Sequence, residues 1–404
     1  MTQAGDTAWL LICTALVMLM TPGLALFYGG MVQKKNVLST FMHSFFALGL
    51  VSVQWAVIGY SLAFGHTHGG FVGGFDFFAL HHVGVEAKEG MTVPHLAYMA
   101  YQGMFAVITP ALISGAYAER MKFSAYCLFT VLWATLVYDP IAHWVWGPGG
   151  WLHELKALDF AGGTVVHLSS GTAALVAAKM LGPRLGYPRE RRPPHNLTMT
   201  VLGAGLLWFG WFGFNAGSAD NLGQASLALV NTHLAAAAGA LGWGLVEGWR
   251  VGKVTMLGVA SGLVAGLVGI TPGAGYVSPM AALAIGAVAG VVCYGGVLIK
   301  TRFGYDDALD AFGVHGVGGF LGAILTGLFA QKALGASVDG VFAGNVGVMW
   351  VQVLGAAAAM AYSAVVTVGL LWALKLTVGL RVERDDEREG LDVTAHGESA
   401  YELD

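Results

Sequence analysis

The chain has 404 residues, of which 56% are hydrophobic and only 11% charged, against roughly 25% charged in an ordinary soluble domain. That composition excludes a soluble globule, which could not cover its surface with polar groups, and a disordered chain, which needs low hydrophobicity. The formal net charge of -4 argues against a nucleic-acid partner.

Taken in chain order, eleven apolar stretches approach or exceed the roughly 20 residues that a bilayer core requires: 8–32, 40–64, 95–117, 123–145, 162–181, 197–216, 225–248, 256–276, 278–300, 308–330 and 344–376. The runs are continuous, not alternating, so they predict helices and not a barrel. The first reads as a membrane helix and not a signal peptide, because no positive charge precedes it and Lys34 and Lys35 follow it. The last is long enough to require tilting or bending. Glycine, at 60 residues, is about twice as frequent as usual, which suits helices whose backbones approach closely. Cys13, Cys127 and Cys293 all lie inside apolar runs and read as packing residues, not as disulfides or a metal site.

Two segments lie outside these stretches. The loop 65–94 is rich in Gly and His, with His66, His68, His81 and His82. A metal-binding tract is the sharper reading, but the loop lacks tight ligand spacing, so a plain solvated loop is preferred. The segment 377–404 turns abruptly polar, with a charged run at 383–389. Basic residues orient the chain. With Lys34 inside, 17 of the 20 Lys and Arg fall in or beside inside segments, and only Lys88, Lys156 and Lys332 lie outside. The positive-inside rule then predicts an external amino terminus and a cytoplasmic carboxyl terminus.

The fifth and tenth stretches are related. Asp159–Ala174 (DFAGGTVVHLSSGTAA) aligns with Asp307–Gly322 (DALDAFGVHGVGGFLG), each with an Asp, a Val seven residues later and a His eight later. Two five-helix halves, 8–181 and 197–330, must then insert in opposite senses. This predicts an all-α membrane protein built as an inverted repeat with an eleventh helix added, a class whose transport path tends to lie between the repeats. His167 and His315 occupy matching places there, and an ionisable side chain at membrane depth is a functional candidate by default. The plainer alternative is that each only bonds across helices, and for His43, His143 and His233, nearer helix ends, that alternative is preferred. A bis-histidine haem is not supported, since no C-x-x-C-H is present, and no cofactor is expected.

Asp159 follows a loop and opens a helix. Capping the free N–H groups and stabilising a cation nearby are both expected of it, while capping is the plain reading of Asp307 and Asp310. Phe105, Trp146, Trp211 and Phe214 are expected near the outer ends of their helices. They either anchor the protein at the headgroups or offer ring faces to a small cation.

At these residues the sequence resembles the Amt/Mep/Rh ammonium transporters, specifically the bacterial Amt branch. The matching stretches include ALFYGGMVQKKNVLS (25–39), AYQGMFAVIT (100–109), GAYAERMKFSA (115–125), DFAGGTVVH (159–167), GWFGFNAGSA (210–219), NTHLAAAAGALGW (231–243), GLVGITPGAGY (266–276), DDALDAFGVHGVGG (306–319) and VGLRV with EREGLDVTAHGESAY (378–401). The resemblance implies an eleven-helix homotrimer in the cell's inner (plasma) membrane, with a pore in each subunit. It implies an outer site that recruits ammonium through Trp146, Phe105 and Ser218. It further implies a gate of stacked Phe105 and Phe214 beside Trp211, a narrow channel holding the hydrogen-bonded pair His167 and His315, and a buried Asp159. It implies no enzymatic activity, and it makes 1–376 the membrane domain and 377–404 a regulatory tail. Two of the alternatives the resemblance leaves open are an ammonium sensor, which would carry an added signalling domain, and an Rh-type gas channel, against which the tail and the Phe105, Trp146 and Ser218 set both weigh.

Three positions depart from the family pattern. Tyr101 stands where the bacterial transporters have Phe and adds a hydroxyl at the outer site. Asp139 and Asp220 add acids that either attract cations at long range or, as preferred, are simply solvated. The tail's retained pattern predicts that it packs on the cytoplasmic face against Arg184, Arg189, Arg191 and Arg192. By resemblance, a PII-type signal protein (GlnK-like) docks on that face.

Overall fold

The computed structural model describes residues 2–190 and 192–401; Arg191 and the last three residues of the tail lie outside them. The chain is a bundle of α-helices. Among the described residues, ten are long and apolar enough to cross a membrane. They are α1 (Ala4–Met31), α2 (Lys34–Phe64), α3 (His95–Tyr117), α4 (Phe123–Glu154), α5 (Gly163–Leu181), α6 (Leu197–Ala216), α7 (Leu222–Val251), α9 (Pro279–Phe303), α10 (Phe312–Phe329) and α11 (Gly347–Thr377).

Between α7 and α9 runs α8 (Met256–Ile270), apolar but only 15 residues long. Its apolar stretch extends to residue 276, yet the helix stops at Ile270. Pro272 has no N–H to give, so the helical ladder cannot continue through it. The chain turns instead through Gly273–Tyr276, closed by the Tyr276 N–H on the Gly273 carbonyl at 2.8 Å. At the other extreme, α11 is 31 residues of uninterrupted helix, about 46 Å at 1.5 Å per residue, longer than a hydrocarbon core of about 30 Å.

Among the described residues, four helices contain a π turn: Trp55–Gly59 in α2, Ala134–Tyr138 in α4, Gly163–Leu168 opening α5 and Phe312–Gly316 opening α10. A π turn inserts an extra residue and rotates the rest of the helix about its axis, and such turns concentrate at functional sites. The α4 turn accounts for a correction. Asp139, expected to be solvated, is completely buried and accepts a 2.7 Å hydrogen bond from Gln54 Nε2. Asp220 is exposed, as expected.

The helices bearing the matched histidines pack backbone to backbone. A Cβ on Gly171 would overlap the backbone of Gly316, and one on Gly319 would press on the Gly163 carbonyl. Small residues at this crossing are what let α5 and α10 approach so closely.

The loop 65–94 folds over one end of the bundle around a short antiparallel pair, β1 (Thr67–His68) and β2 (Val72–Gly73). His66 bonds Asp76 there at 2.8 Å, and no cluster of metal-ligating residues occurs among the described residues. His143 bonds the Ala63 carbonyl and the Thr67 hydroxyl, and His233 stacks on Trp208. Cys13 and Cys293 are buried and Cys127 half-buried, all as free thiols.

At the opposite end the polar tail is docked on the bundle. Two short helices, α12 (Arg384–Glu389) and α13 (Leu391–His396), pack there, with Glu387, Leu391 and Asp392 buried. The partners differ from those expected. Glu387 takes the Leu185 N–H at 2.8 Å and pairs with Arg381 at 2.7 Å. Asp392 takes the Ser39 N–H, the Leu391 N–H bonds the Asn36 side chain, and Lys35 reaches the Arg388 carbonyl. Arg184 and Arg192 face Glu119 instead, because that buried carboxylate competes for them.

Candidate functional site

Asp159 sets the first part of the site. Its carboxylate accepts the N–H groups of Gly162, Gly163, Thr164 and Val165 at 2.9, 2.6, 2.9 and 3.0 Å. These are the orphan donors of the opening turn of α5. Gly162 holds φ at +111°, a conformation that suits glycine and little else. Both carboxylate oxygens are thus engaged by backbone N–H groups, the capping role expected of the residue. Asp307 repeats the device on α10, taking the Ala311 and Phe312 N–H groups at 3.1 and 2.8 Å. In each helix a π turn comes next, and each π turn carries its histidine.

The Asp159 carbonyl also accepts Trp146 Nε1–H at 2.9 Å, which fixes the half-buried indole at the end of α4. The indole meets Phe105 edge-on, centroids 6.1 Å apart. Phe105, expected near a helix end, instead lies mid-way along α3. It stacks on Phe214 of α6 at 4.2 Å and 27°. The half-buried Ser218 lies one turn beyond Phe214, and Tyr101 one turn before Phe105; their hydroxyls are 3.1 Å apart.

Inward of the stacked rings lies a narrow cavity. Phe214, Trp211, His167 and His315 line it, with Met20, Leu24, Phe27, Ile108, Leu112, Leu207 and Val264 completing an apolar wall. The rings form a column: His167 lies 5.9 Å from Phe214, 5.2 Å from Trp211 and 5.3 Å from His315. Trp211 is held by a 2.9 Å bond from Nε1 to the Thr271 hydroxyl. The two imidazoles are 22° from parallel. Among the described residues, both nitrogens of His167 and Nδ1 of His315 have no hydrogen-bond partner. Among the described residues no hydrogen bond joins the two rings, although the resemblance implies one. A second cavity shares Phe27, Val264 and His315 and reaches Asp310, which pairs with Lys300 at 2.5 Å.

The column thus has ring faces at its mouth, apolar walls along it, and buried imidazole nitrogens without partners in its middle. Residues 8–401 match the family model described as Ammonium Transporter Family. The chain belongs to that family. An ammonium transporter of Bacillus subtilis is 53% identical over 405 residues, covering 99% of each chain. The crystal structure of Candida albicans Mep2 superposes with a TM-score of 0.90 at 38% identity, over 95% of this chain and 88% of that one. A sensor Amt protein matches equally well, with a TM-score of 0.90 at 30% identity, over 97% and 98% of the two chains. Membership in this family makes the chain a multi-pass membrane protein.

The structure brings together every residue that the sequence singles out for the path. Thr271 and the apolar wall escape a reading of the sequence, because an Ile or Leu facing a pore looks the same as one facing lipid.

Proposed function

We propose that the chain carries ammonium across a membrane by recruiting the ion at Trp146, Phe105 and Ser218, removing its proton, and conducting ammonia past His167 and His315. The observation that carries this reading is the stacked pair Phe105 and Phe214 closing an otherwise apolar cavity into which those two imidazoles are set. An ammonium ion crossing apolar walls would lose its hydration at a cost of many kcal/mol. Ammonia would not. Potassium is of similar size but has no proton to give up, so a path of this kind discriminates by chemistry and not by diameter. At the mouth, ring faces supply about 1–2 kcal/mol to a desolvated cation and the Ser218 oxygen accepts an N–H. Within the cavity, a neutral imidazole donates from one nitrogen and accepts at the other, so the pair can pass ammonia along without becoming charged.

In this reading the amino terminus is external, the tail is cytoplasmic, and 1–376 forms the membrane domain as an inverted repeat assembled into homotrimers in the inner (plasma) membrane. The docked segment of 377–404 is a regulatory element beside the surface that a PII-type signal protein would use. The protein acts as a transporter and not as an enzyme. The likeness to a sensor Amt protein favours one second reading, in which ammonium is bound and signalled.

Electrical recording and flux measurement on purified protein in bilayers, with ammonium, methylammonium and potassium, separate the two. Transport predicts ammonium and methylammonium flux with potassium excluded. Binding without flux would favour the sensor.

A further inference from the structure

Tyr101 is fully buried one turn before Phe105 on α3. Its hydroxyl lies 2.8 Å from the Phe214 carbonyl, 3.0 Å from the Gly213 carbonyl and 3.1 Å from Ser218 Oγ. A phenol has one proton, and a carbonyl oxygen can only accept. The proton therefore goes to the carbonyls ending α6, and toward Ser218 the phenol oxygen is an acceptor. Ser218 also has one proton, with two acceptors in reach: the Phe214 carbonyl at 3.1 Å and the Tyr101 oxygen at 3.1 Å. Both lie on the protein side. The serine proton is thus drawn inward, and the lone pairs of Oγ are left for a donor arriving from outside.

We infer that Tyr101 is a positioning residue for ammonium recruitment, holding the Ser218 hydroxyl as a pure acceptor. The inference rests on the reading of Ser218 as an ammonium ligand. A cation brings only N–H donors, so a serine free to turn its own proton outward presents the wrong group for part of the time. Replacing the phenol by phenyl removes one of the two inward acceptors and the donor to the α6 carbonyls, while the ring packed against Phe105, 5.0 Å between centroids, stays in place.

The test is a double-mutant cycle on the full chain: parent, Tyr101→Phe, Ser218→Ala and the double variant. Each is reconstituted in proteoliposomes, and initial ammonium flux is measured across a concentration range. Size-exclusion profiles verify that equal amounts of folded protein are compared. Tyr101→Phe is expected to raise the half-saturating concentration about fivefold, the worth of one neutral hydrogen bond, with little change in maximal flux. In the Ser218→Ala background the same change should have no further effect. Equal shifts in both backgrounds, a loss of maximal flux alone, or a parental half-saturation in Tyr101→Phe would overturn the positioning role while leaving Ser218 as a ligand. A parental half-saturation in Ser218→Ala would instead remove Ser218 from recruitment, and the inference with it.

Discussion

The imidazoles of His167 and His315 stack at 5.3 Å between centroids, 22° from parallel, and each comes from a π turn that opens its helix just after an aspartate cap. The aspartate caps do not line the cavity, yet caps and turns together aim both rings into it. Buried polar atoms ordinarily have partners. Three imidazole nitrogens have none among the described residues, and in the proposed function these are the polar groups offered to a passing ammonia.

That pair gives the first prediction. His167→Leu and His315→Leu should each lower ammonium flux by about tenfold or more, as expected when a buried hydrogen-bonding group is removed. Both variants should fold, because leucine suits the apolar wall. Acidic replacements should admit potassium. Parental flux with potassium still excluded in both leucine variants would rule out the channel assignment.

Asp159 is expected to act through structure. In Asp159→Ala four buried N–H groups lose their acceptor, and each costs about 1–3 kcal/mol when left unpaired. Asp159→Asn keeps one acceptor oxygen and should lose less. Thermal unfolding in detergent should rank parent above Asn above Ala. If Ala matched the parent in stability and failed only in transport, stabilising a cation nearby would be the role of the residue instead.

Arg184 sits between two buried carboxylates in the loops of the tail face, 2.7 Å from Glu119 and 2.8 Å from Asp306. Burial pushes both acids upward, but the guanidinium outweighs it, so Glu119 ends below its ordinary 4.5 and Asp306 below its ordinary 3.8. Because the folded values are the lower ones, the stabilisation is complete above the ordinary values and is lost as pH falls through the folded values, below about pH 4. Arg184→Leu should destabilise by about 3–5 kcal/mol, since it strands buried charge. It should also move the onset of acid unfolding to higher pH. Unchanged acid unfolding in that variant would show that the ion pairs contribute nothing.

Deleting residues 383–404 removes the buried contacts of Glu387, Leu391 and Asp392 with the loops that carry Leu185, Asn36 and Ser39. The helices before it are complete, so membrane insertion should survive. Activity should fall, or its control by a PII-type protein should be lost. Pull-down with such a protein, paired with flux on full-length and truncated chains, decides this: equal binding and equal flux in both forms would mean that the tail has no regulatory part.

Much of this protein is written in local sequence. Hydrophobic runs about as long as a bilayer core locate the membrane helices, most ends to within a few residues, since desolvated backbone must close its hydrogen bonds within the segment. The paired Asp and His spacing marks His167 and His315, because a titratable side chain in an apolar run is too costly to be incidental. Tertiary structure alone decided the rest. The early end of α8 depends on Pro272 meeting a turn. The burial of Asp139 depends on a π turn bringing it to Gln54. The tail's choice of Leu185, Asn36 and Ser39 over the arginines depends on Glu119 having claimed Arg184 first. The stacking of Phe105 on Phe214, and the hydroxyl of Tyr101 between them and Ser218, join residues more than a hundred positions apart. No periodicity records such contacts, because they arise from which helix faces meet and not from what either helix prefers alone.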